Sequence, residues 1–99
     1  MIGDLLKSNA QPVNFEGYEV LAVNSPVWSS WIGHELVKKK PPIGVIWSQL
    51  SDQTAVSLRS DGSVDVSLIA KKYGGGGHKT AAGFELALKS ELPWKNINS

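Results

Sequence analysis

Four consecutive glycines, Gly74–Gly77, constrain the fold of this chain more than any other feature. Glycine adopts backbone conformations that other residues avoid, and it weakens the interior of a helix or strand, so the run marks a junction. The segment before it, 66–73, carries apolar residues at helical spacing after Asp65, a preferred N-cap residue. The segment after it, 84–88, alternates Phe and Leu with other residues, as strands do. A helix, a glycine segment and a final strand are therefore expected in this order.

Between the glycines and that strand, His78–Ala82 has the small residues of a short, tightly packed helix that ends at Gly83. Upstream, Ser25, Ser29 and Ser30 are candidate N-caps for a helix that stops where Lys38–Lys40 meets Pro41 and Pro42. Four further segments have strand composition: Val13–Glu16, Tyr18–Val23, Ile43–Trp47 and Thr54–Arg59. The first two should be joined by a tight turn at Gly17, and the last two should form an antiparallel hairpin. A short helix around Leu5 and Leu6 and a turn of helix after Glu91 complete the predicted elements.

The predicted fold class is α/β (α+β), with a mixed or antiparallel sheet of about five strands and two to three helices. The expected order is β-β-α-β-β-α-(Gly loop)-α-β. Its length of 99 residues predicts a single domain over 1–99. Residues 18–88 should form one α/β layer, with the glycine loop at a sheet edge beside Arg59.

Composition excludes several classes of site. The chain has no cysteine, which rules out disulfides and thiolate metal sites and fits a reducing compartment. Only His34 and His78 are present, and the nine carboxylates are scattered, so neither a catalytic residue nor a metal site is expected within this chain. A formal net charge of +1 gives the chain no overall attraction to nucleic acid or to a membrane surface. No apolar run could span a bilayer, so a cytoplasmic location is expected.

The glycine segment is the leading candidate for a binding site. Glycines permit close approach of a ligand to the backbone, and the first N–H groups of a following helix would attract an anion. No acidic residue occurs in 66–84, whereas Lys71, Lys72 and Lys79 lie beside His78. A flexible linker is the alternative interpretation. A nucleotide-triphosphatase P-loop is rejected, because that motif needs a glycine where His78 stands.

Other candidates are ambiguous from the residues alone. Arg59 follows Leu58 at a strand end, where its guanidinium could bind phosphate or form a surface ion pair with Asp61 or Asp65. The sequence after His34 lacks the second histidine of a zinc helix, which favours a solvent-facing side chain. The Lys38–Lys40 run suits a helix C-terminus and a solvated face, with contact to a partner as the alternative. The four tryptophans could stack on bases, but at least two should be buried.

Three motifs taken together resemble the DHH-associated C-terminal domain of the DHH phosphoesterases. They are Ser57-Leu58-Arg59-Ser60-Asp61-Gly62, then Asp65-Val66-Ser67-x-Ile69-Ala70, and Tyr73-Gly74-Gly75-Gly76-Gly77-His78-x-x-Ala81-Ala82-Gly83-Phe84. The resemblance is strongest over Gln53–Phe84 and looser around Asn24-Ser25-Pro26 and Gly33–Leu36. The superfamily includes single-strand-specific exonucleases, oligoribonucleases and cyclic-dinucleotide phosphodiesterases.

The resemblance implies that Arg59, Gly75, Gly76, Gly77 and His78 bind substrate phosphate. Lys79 joins this set because its charge lies beside the glycine segment, not because of the resemblance. The resemblance also implies a preceding Asp-His-His domain in cis with a manganese pair, and this chain lacks that motif. The expected function is therefore the substrate-binding lobe of a phosphoesterase, inactive alone, with no cofactor of its own. Its ligand would be a single-stranded or short oligonucleotide or a small nucleotide. A stand-alone, non-catalytic binding module is the alternative.

Overall fold

The structure, a computed structural model, describes residues 10–24, 30–87 and 92–96. Within these residues the chain forms seven strands and two helices. Their bounds, in chain order, are β1 Gln11–Phe15, β2 Tyr18–Asn24, α1 Ser30–Lys39, β3 Ile43–Gln49, β4 Gln53–Ser60, α2 Val66–Lys72, β5 Gly76–His78, β6 Ala81–Ala87 and β7 Trp94–Asn96. Neither helix is long and apolar enough to cross a membrane.

All seven strands belong to one sheet, in the order β5-β6-β4-β3-β2-β1-β7. The β2 and β3 strands pair in parallel around α1, and every other neighbouring pair is antiparallel. The predicted α+β class with a mixed sheet is confirmed. The sheet is larger than the five strands expected, because β5 and β7 add a short strand at each edge.

The two helices cover opposite faces of the sheet. Ile32 and Leu36 of α1 pack against Val23 and Ile46, across the centre of one face. On the other face, α2 packs against apolar residues that include Leu58. The central β4 strand is consequently buried on both faces over most of its length. Since neighbouring residues of a strand point to opposite faces, Leu58 faces α2 and Arg59 faces α1.

The local signals around α2 and the two hairpins are confirmed. Asp65 caps α2, its carboxylate accepting a hydrogen bond from the Ser67 N–H at 3.0 Å. Hydrogen bonds from the Ser67 hydroxyl and N–H hold the pKa of Asp65 below its ordinary value. The predicted hairpin of β3 and β4 is antiparallel. In the β1 and β2 hairpin, Glu16 and Gly17 form the turn with φ of +53° and +83°, as a tight two-residue turn with two left-handed residues requires.

The predicted helix over His78–Ala82 is wrong. His78 ends β5, Lys79 and Thr80 form a two-residue turn, and Ala81 begins β6. The small side chains that suggested a compact helix instead allow close strand packing, since a Cβ on Gly83 would lie 2.8 Å from the Val56 carbonyl oxygen. Pairing with β4 overrides the helix propensity of the two alanines.

The predicted turn of helix near Trp94 is also wrong, because Trp94–Asn96 forms β7, which pairs with β1. The predicted N-terminal helix around Leu5 and Leu6 lies outside the described residues. So do the candidate caps Ser25 and Ser29, and Trp28.

Aromatic residues join the β1 hairpin to the end of α2. Phe15 stacks on Tyr73 with ring centroids 6.2 Å apart, and Tyr73 stacks on Phe84 at 4.6 Å. The Tyr73 hydroxyl donates a hydrogen bond of 2.9 Å to Glu16, which also pairs with Lys72. Burial, followed by this hydrogen bond, raises the pKa of Tyr73 to about 12. Hydrogen bonds from Lys72 and Tyr73 hold the pKa of Glu16 below its ordinary value of 4.5.

We predict that Glu16→Gln lowers stability near neutral pH but has little effect in acid. A lowered pKa means that the Glu16 carboxylate contributes stability above its ordinary pKa, and this contribution is lost as pH falls through the lowered value. Because Lys72 is exposed, the difference at pH 7 should be about 0.5–1 kcal/mol. Urea unfolding between pH 3 and pH 7 measures it. Equal destabilisation at both ends of that range would show that the charge of Glu16 is not what matters.

Candidate phosphate-binding site

The first two glycines of the run end helix α2 rather than link two mobile segments. Gly74 is left-handed, with φ +88°, and its N–H donates to the Lys71 carbonyl at 3.1 Å. The Gly75 N–H donates to the Ala70 carbonyl at 2.8 Å, which completes the hydrogen-bond pattern of a Schellman cap. The glycine run is therefore fixed at its start, and the linker alternative is wrong.

The last two glycines belong to an edge strand, so the predicted anion site at a helix N-terminus is also wrong. Gly76 and Gly77 pair with Gly83 and Ala82 of β6. Because β5 is the last strand in the sheet order, it has a hydrogen-bonded neighbour among the described strands on one side only. Alternate N–H groups of an edge strand point away from its neighbour and can donate to a ligand. The glycine segment can still bind an anion, but through a strand edge.

Three of the four glycines are required by the fold, and Gly76 is not. Gly74 and Gly77 have positive φ, and a Cβ on Gly75 would lie only 2.1 Å from the Gly83 carbonyl oxygen. A Cβ on Gly76 would meet nothing within 4 Å, and its φ lies outside the left-handed region. Glycine lowers the stability of a strand interior, so the free chain gains nothing from glycine at this position. Open space above Gly76 is what an approaching ligand would need.

Strand register brings the two halves of the predicted site into one row. Arg59 of β4 pairs with Ala81 of β6, and Ala81 pairs with His78 of β5. Paired residues on neighbouring strands point to the same face, and strands are about 4.8 Å apart, so the Arg59 and His78 backbones are about 10 Å apart across a single alanine. Gly76 alternates with His78 on β5 and faces the same way. The sequence predicted this proximity of Arg59 to the glycine segment.

The Arg59 side chain lies against helix α1, at a position where the helix has no side chain. A Cβ on Gly33 would lie 2.3 Å from Arg59 Cγ and 3.2 Å from Nε, so glycine at position 33 makes room for the arginine. Arg59 Nε is buried and, within the described part of the chain, has no hydrogen-bond partner. A buried donor without a partner costs free energy, which a ligand acceptor would recover.

The ion pairs considered for Arg59 from the sequence are not formed. The Asp61 carboxylate accepts hydrogen bonds from the hydroxyl and N–H of Ser63, and these bonds lower its pKa. Asp65 is occupied as the cap of α2. The alternative interpretation of Arg59 as half of a surface ion pair with either aspartate is therefore wrong.

The turn after β5 is held in place by its backbone. The Lys79 carbonyl accepts a hydrogen bond of 2.9 Å from the Val66 N–H at the start of α2, and the Thr80 carbonyl accepts one of 3.0 Å from Ser60 at the end of β4. The side chains of Lys79 and His78 are exposed. The backbone is thus fixed while both side chains remain free to reach a ligand.

A cavity of about 640 Å³ opens on the α1 side of Arg59. Its lining includes Thr80 from the turn, Ala81 from the start of β6, and His34 and Lys38 from α1. The sequence predicts a solvent-facing His34 and a solvated Lys38, and both side chains are indeed exposed. Their shared position at the cavity was not predicted, although their i, i+4 spacing indicates that they lie on one helix face.

Comparisons with known proteins agree with this fold. The family model of the DHHA1 domain matches residues 21–94. An uncharacterized protein, R106, of Acanthamoeba polyphaga mimivirus is 36% identical over 94 residues, covering 89% of this chain and 22% of that protein. The chain thus spans about a fifth of the length of this curated relative.

Two solved structures share the fold at low sequence identity. A pGpG-specific phosphodiesterase, PggH from Vibrio cholerae, superposes with a TM-score of 0.66 at 11% identity, over 89% of this chain and 33% of that chain. An uncharacterized protein from Helicobacter pylori G27 has a TM-score of 0.65 at 18% identity, over 92% of this chain and 26% of that chain. The present fold corresponds to about a quarter to a third of each of these longer chains.

We predict that Gly33→Ala destabilises the native chain but stabilises the Arg59→Ala variant. Beside Arg59 the added methyl group must displace the Arg59 side chain, at a cost of about 1–3 kcal/mol. Without the arginine the better helix propensity of alanine should dominate, a gain of about 0.5–1 kcal/mol. Urea unfolding of the two single variants and the double variant gives the coupling energy. The same loss from Gly33→Ala in both backgrounds would show that Gly33 is needed for another reason.

Proposed function

This chain belongs to the DHHA1 domain family, the DHH-associated C-terminal domains, and we propose that it is the lobe of a DHH phosphoesterase that binds substrate phosphate. The lobe would use the β5 edge, Arg59 and His78, with Lys79 and the backbone of Gly75–Gly77 beside them. Its substrate would be an oligonucleotide or a small nucleotide. Two observations carry the proposal. Arg59 Nε has no described partner, and Gly76, two residues before the His78 that shares a row with Arg59, is a glycine that the fold does not need.

The chemistry of this site suits a phosphate group. Arginine offers a fork of N–H donors that matches two phosphate oxygens, and His78 and Lys79 can each add a donor. The N–H groups of an edge strand complete such an arrangement, because the absence of a Cβ at Gly76 lets the phosphate approach the backbone. Burial of part of Arg59 against α1 orients its fork before the ligand arrives, which lowers the entropic cost of binding.

Hydrolysis would need residues outside this lobe. Phosphoester cleavage of this kind uses two metal ions to activate water and to stabilise the leaving oxygen. Among the side chains of the described segments, no three His, Asp or Glu groups converge in a way that could hold a metal ion. The residues that the structure describes thus do not fit a manganese pair, and we propose that an Asp-His-His domain of the same polypeptide would hold it.

We predict that Gly76→Ala and His78→Ala weaken phosphate binding without loss of stability. The native chain should bind thymidine 5′-monophosphate at about 0.1 mM or weaker, with an affinity that declines as salt increases. Loss of a charge-assisted hydrogen bond in His78→Ala should cost about 1–3 kcal/mol of binding free energy. The methyl group of Gly76→Ala should obstruct the phosphate while leaving the unfolding free energy unchanged or up to about 1 kcal/mol higher.

Amide chemical-shift titrations measure these affinities, and urea unfolding measures the stabilities. Lys95→Ala is the matched control, because it removes an exposed charge from β7, at the opposite edge of the sheet. The site is wrong if Lys95→Ala weakens binding as much as His78→Ala, or if Gly76→Ala destabilises the chain. A large loss of stability in His78→Ala would identify His78 as a structural residue.

A further prediction is that the pure 99-residue chain binds nucleotides but does not hydrolyse them. Incubation with short single-stranded oligonucleotides and manganese, followed by chromatography of the products, tests this directly. Metal-dependent turnover that persists through purification would contradict the assignment of this chain as the binding lobe alone.

A further inference from the structure

The cavity lined by α1 and Arg59 continues the proposed phosphate site beyond the row of Arg59, Ala81 and His78. Arg59 and Ala81 belong to the row that ends at His78, and both also line the cavity. Thr80 lines it at the turn between β5 and β6. A ligand whose phosphate lies between His78 and Arg59 can therefore extend over Ala81 into the cavity. The volume of about 640 Å³ is within the range of small-molecule sites and can hold a nucleoside.

The α1 side of this cavity carries two basic side chains, His34 and Lys38, that make little or no polar contact within the described residues. His34 is exposed and, within the described residues, makes no ion pair or hydrogen bond through its ring. Lys38 is 61% exposed, and the Glu35 carboxylate is 3.8 Å away, near the limit of an ion pair. Lys40, by contrast, pairs with Glu19 at 3.1 Å. Of the Lys38–Lys40 run, only Lys38 lines the cavity.

The balance of charge in the cavity favours an anion. Among the described residues that line it, Arg59, Lys38 and His34 face a single carboxylate, that of Asp61. The Asp61 oxygen Oδ1 already accepts two hydrogen bonds from Ser63, so part of its negative charge is compensated locally. A second anionic group of the ligand would therefore be attracted to the α1 wall.

We propose that His34 and Lys38 form a second anion subsite, which binds the phosphate next to the one held by Arg59. This inference rests on the proposed function and narrows its ligand to one with two phosphates separated by a nucleoside. The nucleoside would occupy the cavity between the two subsites. Mononucleotides would fill one subsite only and bind more weakly.

The test compares two probes that differ by one nucleotide, thymidine 5′-monophosphate and 5′-phosphorylated dithymidine. Affinities of the native chain, the double variant His34→Gln/Lys38→Gln and the control Lys39→Gln come from amide chemical-shift titrations. Lys39 is exposed on the same last turn of α1 but does not line the cavity. All three substituted side chains are exposed, so the variants should fold as the native chain does.

The double variant should bind the dinucleotide about three- to tenfold more weakly, and the mononucleotide less than twofold more weakly, since exposed charge contacts are modest. The dependence of the dinucleotide affinity on salt should also decrease, by a slope of about 0.7 for each phosphate that the variant no longer neutralises. Lys39→Gln should change neither affinity by as much as about twofold.

An equal loss for both probes, no loss for either, or the same loss in Lys39→Gln would overturn the second subsite while leaving the proposed function intact. Amide shifts absent from β5 and from the neighbourhood of Arg59 with both probes would overturn the proposed function, and the second subsite with it.

Discussion

The hydrogen-bonded register of β4, β6 and β5 determines where every residue of the candidate site lies. It places Arg59, Ala81 and His78 in one row, with a single small side chain between the two basic ones. A slip of one residue between any two of these strands would send His78 to the opposite face from Arg59. The backbone bonds from Ser60 and Val66 to the turn at Thr80 and Lys79 hold this register at its open end.

Packing of α1 on the sheet gives Arg59 its orientation. Gly33 has no side chain, and the Arg59 side chain lies in the space that this leaves on the helix surface, with its Nε buried. The same helix then presents His34 and Lys38 to the cavity beyond. Glycine in a helix interior normally lowers stability. Here Gly33 lets Arg59, of the proposed phosphate site, lie beside the helix that carries the proposed second subsite.

Local signals in the sequence predicted most of the fold. The Asp65 cap, the helical stripe before Gly74 and the strand composition of Thr54–Arg59 each depend on residues close in the chain, and each is confirmed. The helix predicted over His78–Ala82 failed because its small residues are compatible with either state. Pairing of Ala81–Ala87 with β4, an interaction between segments distant in sequence, decides between them. The strand at Trp94 likewise depends on β1, which lies near the other end of the chain.

The sequence predicted which residues belong to the candidate site, but it did not predict the strand pairing that brings them together. A resemblance of motifs brought Arg59 and the glycine segment together, and strand register explains why they are neighbours. The sequence does not distinguish the roles of the four consecutive glycines, because each role depends on the atoms that surround that glycine in the fold. Only the structure separates Gly75, packed on β6, from Gly76, which has open space above it.

A crystal structure of the chain with 5′-phosphorylated dithymidine tests the central claim most directly. We expect one phosphate within hydrogen-bonding distance of the Arg59 guanidinium and of the β5 backbone, above Gly76, with no change in the register of β4, β6 and β5. A phosphate bound elsewhere on the surface, with Arg59 still lacking a ligand acceptor, would contradict the assignment of this row as the phosphate site.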